Sequence, residues 1–391
     1  MADYTKKDRA KIIPVHANRG FWNSLFHADV KKIEFITSGN NQNDNISQNS
    51  KSVMWNVSQW KIWNVLGIYQ SVRVESDFAD GFLSYNRFLK SNRPYALVLE
   101  SPIALVHYQP GRARSLLGKR HLKRSFMDKN LRSIVCLNHA CRNTLTKYYT
   151  VPNSIEVTQI YPYVKDSIAD TAFERKIDSP VIHCLYISSQ FYLKGGAELV
   201  AAIEENKWDK NKRLHFDIIT KLDSLEQQTL DKLRGLSNVS LYDFHFTKEE
   251  LNAFYEKANI LIHMTRMDSF PLTLLEALKY GCAFIAADVY AISEIVKNEY
   301  NGFVQEPPVR YWNADNTLNV RLKRKEKKRL YHNYVERSVV RFLSEKINDL
   351  LEDKNKLTEY QKNSLALSKT VFADEKALEA WSDVLYRNKE G

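Results

Sequence analysis

The second half of this chain alternates apolar, strand-like runs with helical stretches, a pattern few folds can accept. Residues 181–187 read as a strand and 197–205 as a helix. Residues 214–220 and 225–233 repeat the pair, as do 239–244 and 248–257. A last set runs strand, helix, strand over 259–264, 272–280 and 282–287. Such alternation builds βαβ units around a parallel sheet. Right-handed crossovers gather the loops that follow the strands on one edge. In open α/β sheets that edge is where ligands bind.

Two of those edge loops carry charge. One holds Asp268, Ser269, Phe270, Pro271 and Leu272, and Glu276 follows in the first helical turns. Unpaired N–H groups at a helix start favour an anion. Phe270, Pro271 and Leu272 therefore sit where a diphosphate could be held, although Pro271 has no donor. Asp268 and Glu276 flank that point, and ionised carboxylates accept hydrogen bonds from sugar hydroxyls. The other loop runs from Ser188 to Gly196 and contains Lys194 and Gly195. Its two glycines would admit a ligand close to the backbone, and its lysine supplies a point charge for phosphate.

The run Asp268-Ser-Phe-Pro-Leu-Thr-Leu-Leu-Glu276-Ala-Leu-Lys-Tyr-Gly281 resembles the signature of the family-4 retaining glycosyltransferases. The likeness continues through Asp288, Glu294 and Asn301-Gly-Phe-Val304 and covers roughly residues 180–305. Asp268 stands for the usual glutamate, and Tyr290-Ala291 where Gly-Gly is common. The resemblance implies an α/β chain of GT-B fold, two Rossmann-like doubly wound domains facing a central cleft. It implies a hexosyltransferase-type enzyme using a UDP- or GDP-linked sugar. The acceptor would be a hydroxyl of a glycan or lipid-linked molecule, with retained configuration, in cell-envelope polysaccharide or glycoconjugate synthesis. Lys194 matches the family lysine that touches the donor diphosphate, while the companion arginine position falls on Ser189. Glu276 would bind the donor ribose and Asp268 the sugar hydroxyls. No metal or other cofactor is expected, because lysine and helix start would neutralise the leaving diphosphate.

The first half carries fewer signals. Residues 93–100 read as a buried strand ending in Glu100, where the family often has a histidine near the transferred sugar. Glu100 therefore joins Lys194 and Asp268 as a catalytic candidate. Residues 133–139 read as the next strand, with a helix through 144–149 and His139 as a weaker candidate. Residues 39–52 are polar and read as a mobile loop. The expected division is an acceptor domain over 1–170, a donor domain over 171–370, and a terminal helix within 371–391 packing back on the first.

The formal net charge of +11 asks for an anionic partner. Eight lysines and arginines lie between Arg112 and Arg132 against one acid, Asp128, with Leu116, Leu117, Leu122, Phe126 and Met127 interleaved. A segment of that kind can lie on an anionic bilayer. Its candidate membrane or acceptor contacts are Arg112, Arg114, Lys119, Arg120, Lys123 and Arg124. A second basic tract covers residues 321–329. Both tracts also fit a nucleic-acid-binding protein on a degenerate transferase fold. Asp268 and Glu276 argue against that alternative, since they would repel nucleic acid. No apolar run approaches the ~20 residues of a membrane span, and the N-terminus lacks a signal-peptide pattern. Cys136, Cys141, Cys184 and Cys282 show no C-x-x-C spacing. The expectation is a cytoplasmic protein that docks peripherally on the inner face of the membrane.

Overall fold

The computed structural model describes residues 9–15, 20–37, 61–69, 71–322, 324–332 and 334–390. The polar stretch 39–52 lies outside the described residues. The chain forms two units, residues 1–165 with 374–391, and residues 166–373.

The first unit contains β1 (Ala10–Val15), β2 (Ile33–Phe35), β3 (Ser71–Val74), β4 (Gly81–Tyr85), β5 (Phe88–Ser91), β6 (Tyr95–Leu99), β7 (Leu131–Cys136) and β8 (Glu156–Gln159). Six of these form one sheet in the order β2-β1-β4-β6-β7-β8, and β3 pairs with β5 separately. Every pairing in the main sheet is parallel. A parallel sheet is covered on both faces, so its central strands read as unbroken apolar runs. All five residues of β6, Tyr-Ala-Leu-Val-Leu, are buried. The helix Asp374–Glu390 belongs to this unit. Its buried Trp381 meets Trp22 edge-on, with ring centroids 5.8 Å apart.

The second unit contains β9 (Ile182–Ser188), β10 (Leu214–Thr220), β11 (Val239–Asp243), β12 (Ile260–His263), β13 (Ala283–Ala287) and β14 (Gly302–Gln305). Their order, β11-β10-β9-β12-β13-β14, is the doubly wound 3-2-1-4-5-6 arrangement. All pairings are parallel here too. Local chemistry starts the helices between the strands. Helix Lys248–Lys257 opens on a reciprocal capping box between Thr247 and Glu250, which satisfies two otherwise unpaired N–H groups. Strand order reverses between β9 and β12, the point at whose carboxyl ends folds of this kind bind ligands.

Candidate active site

The reversal point gathers two loops. Lys194 lies in the one after β9, and Asp268 in the one after β12. The Lys194 ammonium donates to Asp268 Oδ2 and, at 2.7 Å, to the Met267 carbonyl. Its side chain is only 12% exposed, so it is not a solvated surface lysine. His263, the last residue of β12, places Nε2 3.4 Å from the same Asp268 oxygen. Burial alone would raise the Asp268 carboxyl. The Lys194 ammonium and His263 outweigh it and hold the group well below the usual carboxylate range. Burial pushes the His263 imidazole below its ordinary value, against the pull of Asp268.

The glycines serve a different purpose from the expected one. Gly195 adopts φ +84, and a Cβ there would lie 2.5 Å from Met264 Cβ and 2.7 Å from the Met264 carbonyl. A Cβ on Gly196 would collide with the Phe191 ring at 2.4 Å. The room that glycine leaves is therefore filled by the protein, which presses the two loops together. A buried ion pair joins them a second time. The Arg266 guanidinium pairs with Glu198, on the helix Gly196–Glu205, and its Nη1 reaches the Tyr192 carbonyl at 3.4 Å. The Arg266 amide donates to the Leu193 carbonyl at 3.1 Å.

The downstream helix is Leu272–Lys279, with Pro271 as its N-cap. Phe270 and Pro271 are buried, and Leu272 and Ser269 are partly exposed. The Ser269 amide donates to Asp268 Oδ1 at 3.0 Å, which fixes the loop. Glu276 accepts from Lys248 Nζ at 2.6 Å and from the Tyr255 hydroxyl at 2.7 Å. Lys248 and Tyr255 lie two turns apart on one helix and so share a face. Ser189 is partly exposed at the end of β9.

In the first unit, Glu100 follows β6 and is buried. It accepts from the Tyr85 and Tyr108 hydroxyls, each at 2.6 Å. His107 and Tyr108 both adopt left-handed φ, 55 and 57. Burial, with Arg112 and Arg87 nearby, lowers the His107 imidazole to about 4. His139 is exposed at the start of the helix His139–Tyr148.

The basic tract needs correction. Arg112 is 2% exposed and donates to Asn64 Oδ1 at 3.2 Å, so it cannot meet a membrane or acceptor. Leu122 and Phe126 pack into the core rather than outward. The reason is helical geometry: helix Leu116–Phe126 must bury one face, and these residues form it. Arg114, Lys119, Arg120, Lys123 and Arg124 are exposed. Beside them stand Leu116 at 83% and Met127 at 66% exposure. In the second tract, residues 324–329 form a short helix.

His263, Arg266, Glu198, Lys248 and Tyr255 escaped the sequence reading. A histidine closing an apolar strand just before an acidic loop was a visible signal for the first. The Arg266–Glu198 pair left none, because only folding brings those positions together.

Residues 169–338 match the family model for glycosyl transferases group 1, and that span lies inside the second unit. No curated protein matches the chain. Among solved structures, the pneumococcal O-GlcNAc transferase GtfA in complex with UDP and GlcNAc is 15% identical with a TM-score of 0.52. That match covers 78% of this chain and 57% of GtfA, so the chain spans little more than half of that protein. A glycosyltransferase from Rickettsia africae is 14% identical with a TM-score of 0.57, covering 97% of this chain and 99% of the other. Sucrose-phosphate synthase from Thermosynechococcus elongatus is 15% identical with a TM-score of 0.53, covering 79% and 73%. At these identities the likeness is one of fold. The chain carries a group 1 glycosyltransferase domain, and its parallel-sheet α/β architecture is that of the GT-B glycosyltransferases.

Proposed function

We propose that this chain is a retaining hexosyltransferase that moves a sugar from a UDP- or GDP-linked donor to a hydroxyl of a glycan or lipid-linked acceptor. The observation that carries this reading is the Lys194–Asp268 pair at the strand-order reversal of a group 1 glycosyltransferase domain. An ammonium beside a helix start is where a leaving diphosphate gains most, because charge develops there during transfer. When the diphosphate takes Lys194, Asp268 is released to accept from sugar hydroxyls. Glu276 takes the ribose hydroxyls, with Lys248 and Tyr255 setting its orientation. Ser189, Gly195, Ser269, Phe270, Pro271 and Leu272 complete the donor surface. Glu100 serves the sugar or the acceptor hydroxyl. Lys194 and the helix start supply the positive charge, so the reaction needs no metal.

The test is a thermal-shift screen with UDP, GDP and their sugars, followed by NMR of the product anomer. Ligand at 100 times its Kd adds about 2.7 kcal/mol to stability, a clear shift. Failure of all nucleotides to raise Tm would remove the donor assignment, and an inverted anomer would remove retention.

The acceptor side of the proposal is a surface that docks on an anionic membrane in cell-envelope synthesis. Arg114, Lys119, Arg120, Lys123 and Arg124 are exposed next to Leu116 and Met127. The neighbouring helix Lys61–Leu66 adds exposed Ile62 and Val65. Each basic residue near an anionic surface contributes about 1 kcal/mol. Reversing the charge of Lys119, Arg120, Lys123 and Arg124 should abolish co-sedimentation with phosphatidylglycerol vesicles at low salt, with UDP and GDP titrations unchanged. A wild type that ignores such vesicles would make the acceptor a soluble one. Among the described residues no helix is long and apolar enough to cross a membrane.

A further inference from the structure

The second sheet brings three metal-ligating side chains together away from its loop edge. Parallel pairing sets His215 of β10 directly opposite His183 of β9. Asp217 lies two residues further along β10 and so shares a face with His215. His183 Nδ1 stands 3.5 Å from Asp217 Oδ2, and His215 Nε2 stands 3.4 Å from Asp217 Oδ1. The three ligand atoms all lie within 4.8 Å of one another. Zinc bonds of about 2.0–2.1 Å place tetrahedral ligands about 3.3 Å apart. The two histidine–carboxylate spacings run to different Asp217 oxygens, so a metal held by one of those oxygens needs a small turn of the carboxylate and the rings to draw all three ligand atoms in from 4.8 Å.

We propose that His183, His215 and Asp217 form a zinc-type divalent metal site that clamps β9 to β10. His183 Nδ1 is buried and meets Asp217 Oδ2 at 3.5 Å without a well-formed hydrogen bond, a cost that a metal bond would remove. The imidazoles are 15% and 26% exposed, which leaves room for water as a fourth ligand. Two hydroxyls border the triad. The Tyr242 hydroxyl lies 3.4 Å from Asp217 Oδ1 and can steady the carboxylate, while the Ser240 hydroxyl, 3.0 Å from His215 Nε2, has to yield that nitrogen when a metal binds. Lys257 Nζ approaches Asp217 Oδ2 at 3.7 Å, but its side chain is half exposed and can swing into solvent. The triad sits away from the carboxyl-end loops that hold Lys194 and Asp268, so its metal is structural. Sequence spacing does not show this site, because strand pairing alone makes the two histidines neighbours.

The experiment uses the full chain, free of any affinity tag and stripped with chelator. Cobalt(II) titration should give tetrahedral d–d bands saturating at one equivalent and bleached by zinc. Zinc at 100 times its Kd should raise Tm by roughly 5–10 °C. His183→Ala, His215→Ala and Asp217→Asn should each weaken cobalt binding at least about tenfold. Circular dichroism will confirm that they fold. Lys257→Met keeps every ligand and should tighten binding by removing the competing ammonium. Absence of both bands and Tm shift at millimolar metal overturns the site. So does unchanged binding in the three ligand variants, or a thiolate charge-transfer band placing the metal on a cysteine.

Discussion

Three carboxylates stand at the loop edges of the two sheets, and they are held by different chemistry. In the second unit, Asp268 is held by the Lys194 ammonium, and Glu276 by Lys248 with Tyr255. In the first unit, Glu100 is held by the two phenols of Tyr85 and Tyr108. An anionic ligand can draw an ammonium away from a carboxylate, whereas a phenol offers it far less. The carboxylates of the second unit thus have ammonium partners that an anionic ligand could draw away, whereas the phenols on Glu100 are neutral. The first unit also stores backbone strain beside its carboxylate. Consecutive left-handed residues such as His107 and Tyr108 cost on the order of 1–3 kcal/mol each.

Four predictions bear on this contrast. The largest effect belongs to Lys194→Ala, which should cut transfer by about 10²-fold or more, the loss of one preorganised contact to a leaving group. Steady-state rates on folded variant check it, and unchanged turnover would remove Lys194 from the site. Glu276→Ala comes next. Losing a charge-assisted hydrogen bond of about 1.5–3 kcal/mol should weaken UDP or GDP binding roughly 10- to 100-fold. Calorimetric titrations indistinguishable from wild type would end the ribose assignment.

Tyr85→Phe or Tyr108→Phe should instead act on stability. Each removes one phenol bond to Glu100 and should cost about 1 kcal/mol or more in urea denaturation. Nucleotide titrations should stay as in wild type, because the proposal gives Glu100 to the sugar or the acceptor hydroxyl and not to the nucleotide. Weakened nucleotide binding in either variant would break the contrast.

The last effect is a pH slope, spread over more than two pH units. Burial lowers His107 to about 4, and it also lowers His263 and His215. Between roughly pH 6.5 and 4 the unfolded chain holds a proton that the folded His107 imidazole refuses. Stability must therefore fall as pH drops through that window. His107→Gln should flatten the decline in a series of urea titrations, and an unaltered slope would show that His107 carries none of it. Asp268 acts in a separate window. Its folded pKa is depressed, so its contribution is complete above the ordinary carboxylate value and is lost only as pH falls below it.

Much of the second unit was readable in the linear chain. Helix 248–257 and strand 214–220 coincide with their observed bounds, and the other pairs shift by one or two residues. Long apolar runs and strong periodicity gave that precision. The first unit was harder because its strands are short, as in the three residues of β2, and weakly patterned. The basic tract misled at Arg112, Leu122 and Phe126, since charge density along a sequence does not say which helical face turns inward.

Composition and periodicity were enough to dictate parallel α/β sheets and to mark Lys194, Asp268 and Glu276 as edge residues, because those properties repeat locally along the chain. Contacts between distant positions were settled only by folding. Glu198 closes on Arg266, His263 comes up beside Asp268, two phenols enclose Glu100, and His183 meets His215 across a strand pair. Each depends on sheet register and on which loops the strand-order reversal brings side by side, and neither is encoded in any short stretch of residues.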